Sequence, residues 1–222
     1  MKMKKLPAAA LFDLDGVLVD SETIYTDIWT EISRVYPTGV ENMALKIKGM
    51  TLSQILGQYY PDESVRDSVR ALLSLREQEM EYRLFPGVDD FLRQLDDAGV
   101  PAVVVTSSND DKMRRLAGQQ PALMKHFRAL VTDSCVTRSK PDPEPYIVGA
   151  RAVKVDPSLC VVFEDSFSGM QSGRAAGAAV VGLATTNSRE SIAGRADVVL
   201  DCFEGVELEA LLDALSEAGR SF

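Results

Sequence analysis

Acids, hydroxyls and one lysine stand directly after short apolar runs in this chain, and their types and spacing point to a definite chemistry. Asp13 and Asp15 follow the run at 8–12, Thr106 and Ser107 follow 102–105, and Glu164 and Asp165 follow 160–163. Lys140 lies in a short loop, Ser139-Lys140-Pro141. A carboxylate at the end of a buried strand loses hydration unless it meets a cation or hydrogen-bond donors, so several together make a candidate metal site. Donors that are all oxygen favour a hard ion, magnesium above all.

Two carboxylates two residues apart can divide labour. If Asp13 attacks phosphorus, an aspartyl-phosphate results, and Asp15 can give the departing alkoxide a proton and later take one from water. Charge opposes that attack, since two like charges about 4 Å apart repel by roughly 4 kcal/mol at an effective dielectric near 20. A magnesium ion held by Asp13 and Asp165, with Lys140 and donors from Thr106 and Ser107, would offset the repulsion.

The elements that must position these groups are legible as patterns. The run at 8–12 reads as a buried strand that ends in a loop at Asp13. Helical spacing then takes over: Ile24, Ile28, Ile32 and Tyr36 predict a helix from Ser21, ended by Pro37, and further helices are expected over 51–58 and 63–82. No strand is expected between Asp20 and Phe85. After Pro86-Gly87, strands at 102–105, 129–131, 160–163 and 179–183, with a further segment at 198–200, alternate with helices. That alternation predicts an α/β fold, a Rossmann-like parallel sheet with helices on both faces. The expected division is a core of 1–18 and 86–222, with an all-helical insertion at 19–85. Ligands of open parallel sheets bind beyond the carboxyl ends of the strands, where the polar groups named above stand.

Composition excludes several classes. With 24 Lys and Arg against 33 Asp and Glu the formal charge is −9, so neither a nucleic acid nor an anionic membrane is an expected partner. An anionic substrate needs local positive charge from a metal, a lysine or backbone amides. The single histidine, His126, argues against a zinc hydrolase site or a Ser-His-Asp arrangement, and reads as a helix-end residue. Cys135, Cys160 and Cys202 are odd in number and far apart, which speaks against a disulfide framework and for a reducing, cytoplasmic setting. The start of the chain reads as a first strand rather than a leader, and no apolar run approaches a membrane span. A monomer is expected, with a dimer left open.

Taken together, the string from Phe12 to Glu22, Phe12-Asp13-Leu14-Asp15-Gly16-Val17-Leu18-Val19-Asp20-Ser21-Glu22, resembles the opening motif of the haloacid dehalogenase superfamily. Val105-Thr106-Ser107-Ser108, Ser139-Lys140-Pro141-Asp142-Pro143 and Phe163-Glu164-Asp165-Ser166-Phe167-Ser168-Gly169 resemble its second, third and fourth motifs, in order and over nearly the whole chain. The resemblance implies Asp13 as nucleophile, Asp15 as acid and base, and Thr106 and Lys140 as phosphate holders. It implies Asp165 and the Asp15 backbone carbonyl as magnesium ligands beside Asp13, with Glu164 helping directly or through water. The inserted helices look like the cap of the beta-phosphoglucomutase-like branch, and the segment Ile47 to Leu52 resembles its substrate-closing loop, which makes Lys48 and Gly49 candidate substrate contacts. Tyr25 and Leu52 stand where mutases of that branch carry a His and an Arg. The expected activity is therefore a phosphatase acting on a small phosphorylated metabolite, with phosphomutase and inorganic pyrophosphatase as alternatives.

Overall fold

A computed structural model describes residues 6–222 apart from 48, 49 and 51, and all of these but the side chain of Ser53. The chain divides into two compact units, one made of Met1–Asp20 with Tyr82–Phe222 and the other of Ser21–Glu81.

The first unit is the α/β unit. Among its described residues six strands form one parallel sheet in the order β3-β2-β1-β4-β5-β6. The strands are β1 (Ala9–Phe12), β2 (Ala102–Val105), β3 (Phe127–Val131), β4 (Cys160–Glu164), β5 (Ala179–Leu183) and β6 (Val198–Leu200). β1, β2, β4 and β5 are buried along their whole length, which is why their sequences are apolar without alternation. From β1 the chain moves to β2 and β3 on one side, then crosses to β4 on the other. The reversal falls between neighbouring β1 and β4, the place where an open sheet leaves a crevice at its carboxyl edge.

Strand alternation sends successive side chains to opposite faces. Phe12 and Phe163 stack on one face with centroids 4.5 Å apart, and Phe91 and Phe203 join them. Burying each such ring contributes about 1.5–3 kcal/mol. On the other face Leu11, Val103, Val105, Val162, Tyr146 and Met170 share a second cluster. The next residues along β1 and β4, Asp13 and Glu164, turn to that second face.

Helices of this unit are α5 (Val88–Asp97), α6 (Asp110–Gln119), α7 (Pro121–Met124), α8 (Glu144–Ala152), α9 (Phe167–Ala175), α10 (Arg189–Ile192) and α11 (Leu208–Glu217). β3 begins two residues before the expected 129, because the Phe127 ring reaches Phe12 at 6.1 Å.

The second unit holds α1 (Ser21–Val35), α2 (Met43–Lys46), α3 (Leu52–Tyr59) and α4 (Glu63–Glu79) around Ile28, Trp29, Ile32, Ile55, Leu56, Val69 and Leu73. α4 stops three residues short of the expected Tyr82, whose amide and carbonyl are taken by the side chains of Gln119 and Gln120 in the α/β unit. α2 and α7 were not anticipated, since four residues are too few to display a helical period.

Candidate active site

Lys140 is the hub at the ends of β1, β2 and β4. Its Nζ lies 2.6 Å from Asp13 Oδ1, 2.6 Å from Glu164 Oε1 and 3.1 Å from the carbonyl of Val105, so each of its three protons has an acceptor from a different strand end. The loop carrying it is fastened by Glu144, which accepts from the amides of Thr137 and Arg138 at 2.9 and 3.0 Å. Ser172 of α9 donates to the Asp142 carbonyl at 2.6 Å and ties the same loop to the neighbouring helix.

Glu164 is fully buried and surrounded by donors. Oε1 accepts from Lys140 and from the Tyr146 hydroxyl at 2.7 Å; Oε2 accepts from the amides of Asp165 and Ser166 at 3.2 Å and from Ser166 Oγ at 3.0 Å. A Cβ on Gly169 would lie 1.8 Å from Oε1, so only glycine lets the first turn of α9 approach this carboxylate.

Asp165 turns the other way, toward Gly16 and the loop after β5. Its carboxylate meets the Thr186 hydroxyl and fills the space a Cβ on Gly16 would need, 2.0 Å from Oδ2, while Gly16 has a φ of +78°. Asn187 donates to the Asp165 carbonyl at 2.9 Å, and Thr185 donates to that of Gly16. The loop after β5 thereby clasps both acidic loops.

Asp15 has a separate shell. Lys112 Nζ is 2.6 Å from Oδ1 and Ser108 Oγ donates to Oδ2 at 2.8 Å. Thr106 is buried, its Oγ1 accepting from the Ser108 amide at 3.0 Å, and Ser107 is exposed at the same strand end. The expected contacts at Lys48 and Gly49 lie outside the described residues.

Electrostatics set the acids apart from ordinary carboxylates. Burial pushes Asp13 up to about 7, with Glu164 and Asp15 adding to the rise and Lys140 opposing it. Burial also raises Asp165 well above the carboxylate range, helped by Glu164 and Asp13. For Lys140 burial pulls downward, but the facing Asp13 and Glu164 outweigh it and hold the ammonium above its usual value. Tyr146 is raised by burial and by Glu164. Oxygens of Asp13, Glu164 and Asp165 lie within 4.8 Å of one another. A divalent cation fits beside Asp13 and Asp165, whose donors are hard oxygens and whose buried charge it would match, with Glu164, already accepting from five donors, close behind them.

Ser108 stood in the second motif without an assigned partner, while Lys112 on Asp15, Tyr146 on Glu164, and Thr185, Thr186 and Asn187 escaped the sequence reading. The last three follow β5 directly, so the rule of inspecting every strand end would have found them. Lys112 and Tyr146 sit in helices, where nothing in the pattern distinguishes them.

The sequence model for "haloacid dehalogenase-like hydrolase" matches residues 7–177. The chain belongs to that family. Its relatives include validoxylamine A 7'-phosphate phosphatase of Streptomyces hygroscopicus subsp. limoneus, 32% identical over 86% of this chain and 92% of that protein. Another is hexitol phosphatase A of Escherichia coli K12, 32% identical over 77% of this chain and 80% of that protein. Among solved structures, beta-phosphoglucomutase from Clostridium difficile superposes with a TM-score of 0.72 over 96% of this chain and 98% of that one, at 17% identity. The haloacid dehalogenase-like chain is thus an enzyme with phosphatase relatives on a fold shared with mutases. No described helix is long and apolar enough to cross a membrane.

Proposed function

We propose that this enzyme is a magnesium-dependent phosphatase that hydrolyses a small phosphorylated metabolite, a sugar or polyol phosphate, through an aspartyl-phosphate on Asp13. The observation that carries the reading is the division between the two aspartates: Asp13 is buried against Lys140 and the metal-fitting acids, while Asp15 is held on its own by Ser108 and Lys112.

In the first half-reaction an Asp13 oxygen forms a bond to phosphorus, the bond to the substrate oxygen breaks, and Asp15 gives that oxygen a proton. In the second, water attacks the same phosphorus, Asp15 takes its proton, and the Asp13 carboxylate leaves. Thr106 and Lys140 hold phosphoryl oxygens beside the strand ends, with Ser107 at the rim of the same site. The Lys140 contact requires the ammonium to exchange one of its present acceptors. A magnesium ion, when bound, would be held by Asp13, Asp165 and the Asp15 carbonyl and would supply positive charge that lowers the repulsion between nucleophile and phosphate. Glu164, with five donors on its two oxygens, is assigned to orienting Lys140 and the loop at Asp165 rather than to direct ligation.

The two phosphatase relatives favour water over sugar as final acceptor, and the helical unit, as a cap with Lys48 and Gly49 at its closing loop, would choose the leaving group. Free thiols at Cys135, Cys160 and Cys202 suit a reducing, cytoplasmic setting. The test is purified enzyme with magnesium on a panel of phosphorylated sugars, polyol phosphates and pyrophosphate, beside hexose 1-phosphate to 6-phosphate conversion with a bisphosphate primer. Phosphate release should dominate on sugar or polyol phosphates, and Asp13→Asn should abolish it. Conversion outrunning release would overturn the phosphatase reading in favour of a mutase, and preference for pyrophosphate would replace the substrate class.

A further inference from the structure

We propose that Lys112 is a positioning residue for Asp15, the proton carrier in the reaction proposed above; the inference rests on that reading. Asn109 caps α6 and accepts from the Lys112 amide at 2.9 Å, which fixes the first turn and the direction in which Lys112 leaves it. The lysine side chain is drawn inward, leaving the residue 9% exposed. An ammonium brought so far from water needs an acidic partner, and it meets Asp15 Oδ1 at 2.6 Å. Ser108, the residue before the cap, donates to the other oxygen at 2.8 Å. Both oxygens of one carboxylate are therefore gripped from a single strand-to-helix junction, Ser108 from the loop and Lys112 from the first turn of α6. A short side chain at a strand end can rotate about two bonds, and this grip holds it in one setting: when Asp15 carries its proton on Oδ2 the Ser108 hydroxyl rotates its hydrogen away, while Lys112 keeps Oδ1 and with it the direction of delivery.

Displacing a catalytic group by about 1 Å costs on the order of a hundredfold in rate. That loss falls on proton delivery alone, so it depends on the leaving group. The value of kcat/KM covers events up to departure of the alcohol. An alkyl phosphate such as glycerol phosphate needs a proton at that point, whereas p-nitrophenyl phosphate releases a phenolate unaided.

Lys112→Met is expected to lower kcat/KM for the alkyl phosphate about tenfold to a hundredfold. The aryl value should hardly change, and Lys112→Arg should restore part of the alkyl loss. Asp15→Asn is measured beside it to test the reading underneath. Unselective loss from Asp15→Asn removes the proton-carrier assignment, and the role of Lys112 with it. Selective loss from Asp15→Asn together with equal losses on both substrates, or no loss, from Lys112→Met overturns the role of Lys112 alone.

Discussion

In the α/β unit the polar side chains of the site are tied across long stretches of sequence: Lys140 to Asp13, Lys112 to Asp15, Tyr146 to Glu164 and Asn187 to Asp165. In the helical unit most ion pairs among the described residues join positions on one helix, as in Arg66–Glu63 and Arg70–Asp67, and lie in solvent. Its longer links among the described residues include Arg76 to Glu31 and Tyr25 to Glu77, the latter beside a cavity of about 300 Å³ whose lining also includes Trp29, Ile55 and Leu73. Local, exposed pairs contribute little and are easily replaced. Buried networks fail as wholes when one member is removed. The contrast separates a sheet edge whose polar groups are held by buried, long-range ties from helices whose ion pairs are mostly local and wet.

The comparison is tested most severely at Lys140. Lys140→Met leaves Asp13 and Glu164 facing each other without a cation, and breaking a buried pair from one side costs about 3–5 kcal/mol. Turnover should fall by about 10²–10³-fold with loss of the charge. Thermal unfolding and steady-state assays with magnesium check both. A variant of near-parental stability and activity would mean that the hub is dispensable and that the two units are not held by different rules.

The fold was readable because its strands are short apolar runs separated by helical periods, and burial on both faces leaves exactly that trace in β1, β2, β4 and β5. The acids at the ends of β1 and β4 were readable for a related reason, since charge directly after a buried strand needs an explanation. What the chain order could not reveal was pairing. Ser108 and Lys112 meet Asp15 from more than ninety positions away, a distance that only the parallel pairing of β1 with β2 removes. Glu164 illustrates the same limit, for its type permits metal ligation while its partners, Lys140 and Tyr146, become visible only when α8 folds onto the sheet.

A smaller effect is expected at the loop that presents Lys140. Donors from the Thr137 amide and hydroxyl, then Arg138, hold the Glu144 carboxyl at about 2, below its usual 4.5. Because the folded value is depressed, the stabilising contribution is complete above the unfolded value near 4.5 and is lost as pH falls toward 2. Glu144→Gln should therefore melt below the parent at neutral pH, with the gap closing across that acid range. A gap independent of pH would show that Glu144 acts by packing rather than charge.

The smallest effect belongs to the helical unit. Arg76 makes a two-pronged pair with Glu31, Nε to Oε2 at 2.7 Å and Nη2 to Oε1 at 2.6 Å, and this is its best-formed ion pair among the described residues. Both partners are nonetheless about a third exposed, at 31% and 36%, so water and salt compete for them. Glu31→Gln should lower the melting temperature slightly in dilute buffer, and the difference should vanish in high salt while activity on a good substrate is kept. A large, salt-insensitive loss would mean that geometry has made an exposed pair behave like a buried one. The boundary between the two regions would then be set by how rigidly a pair is held rather than by how deeply it lies.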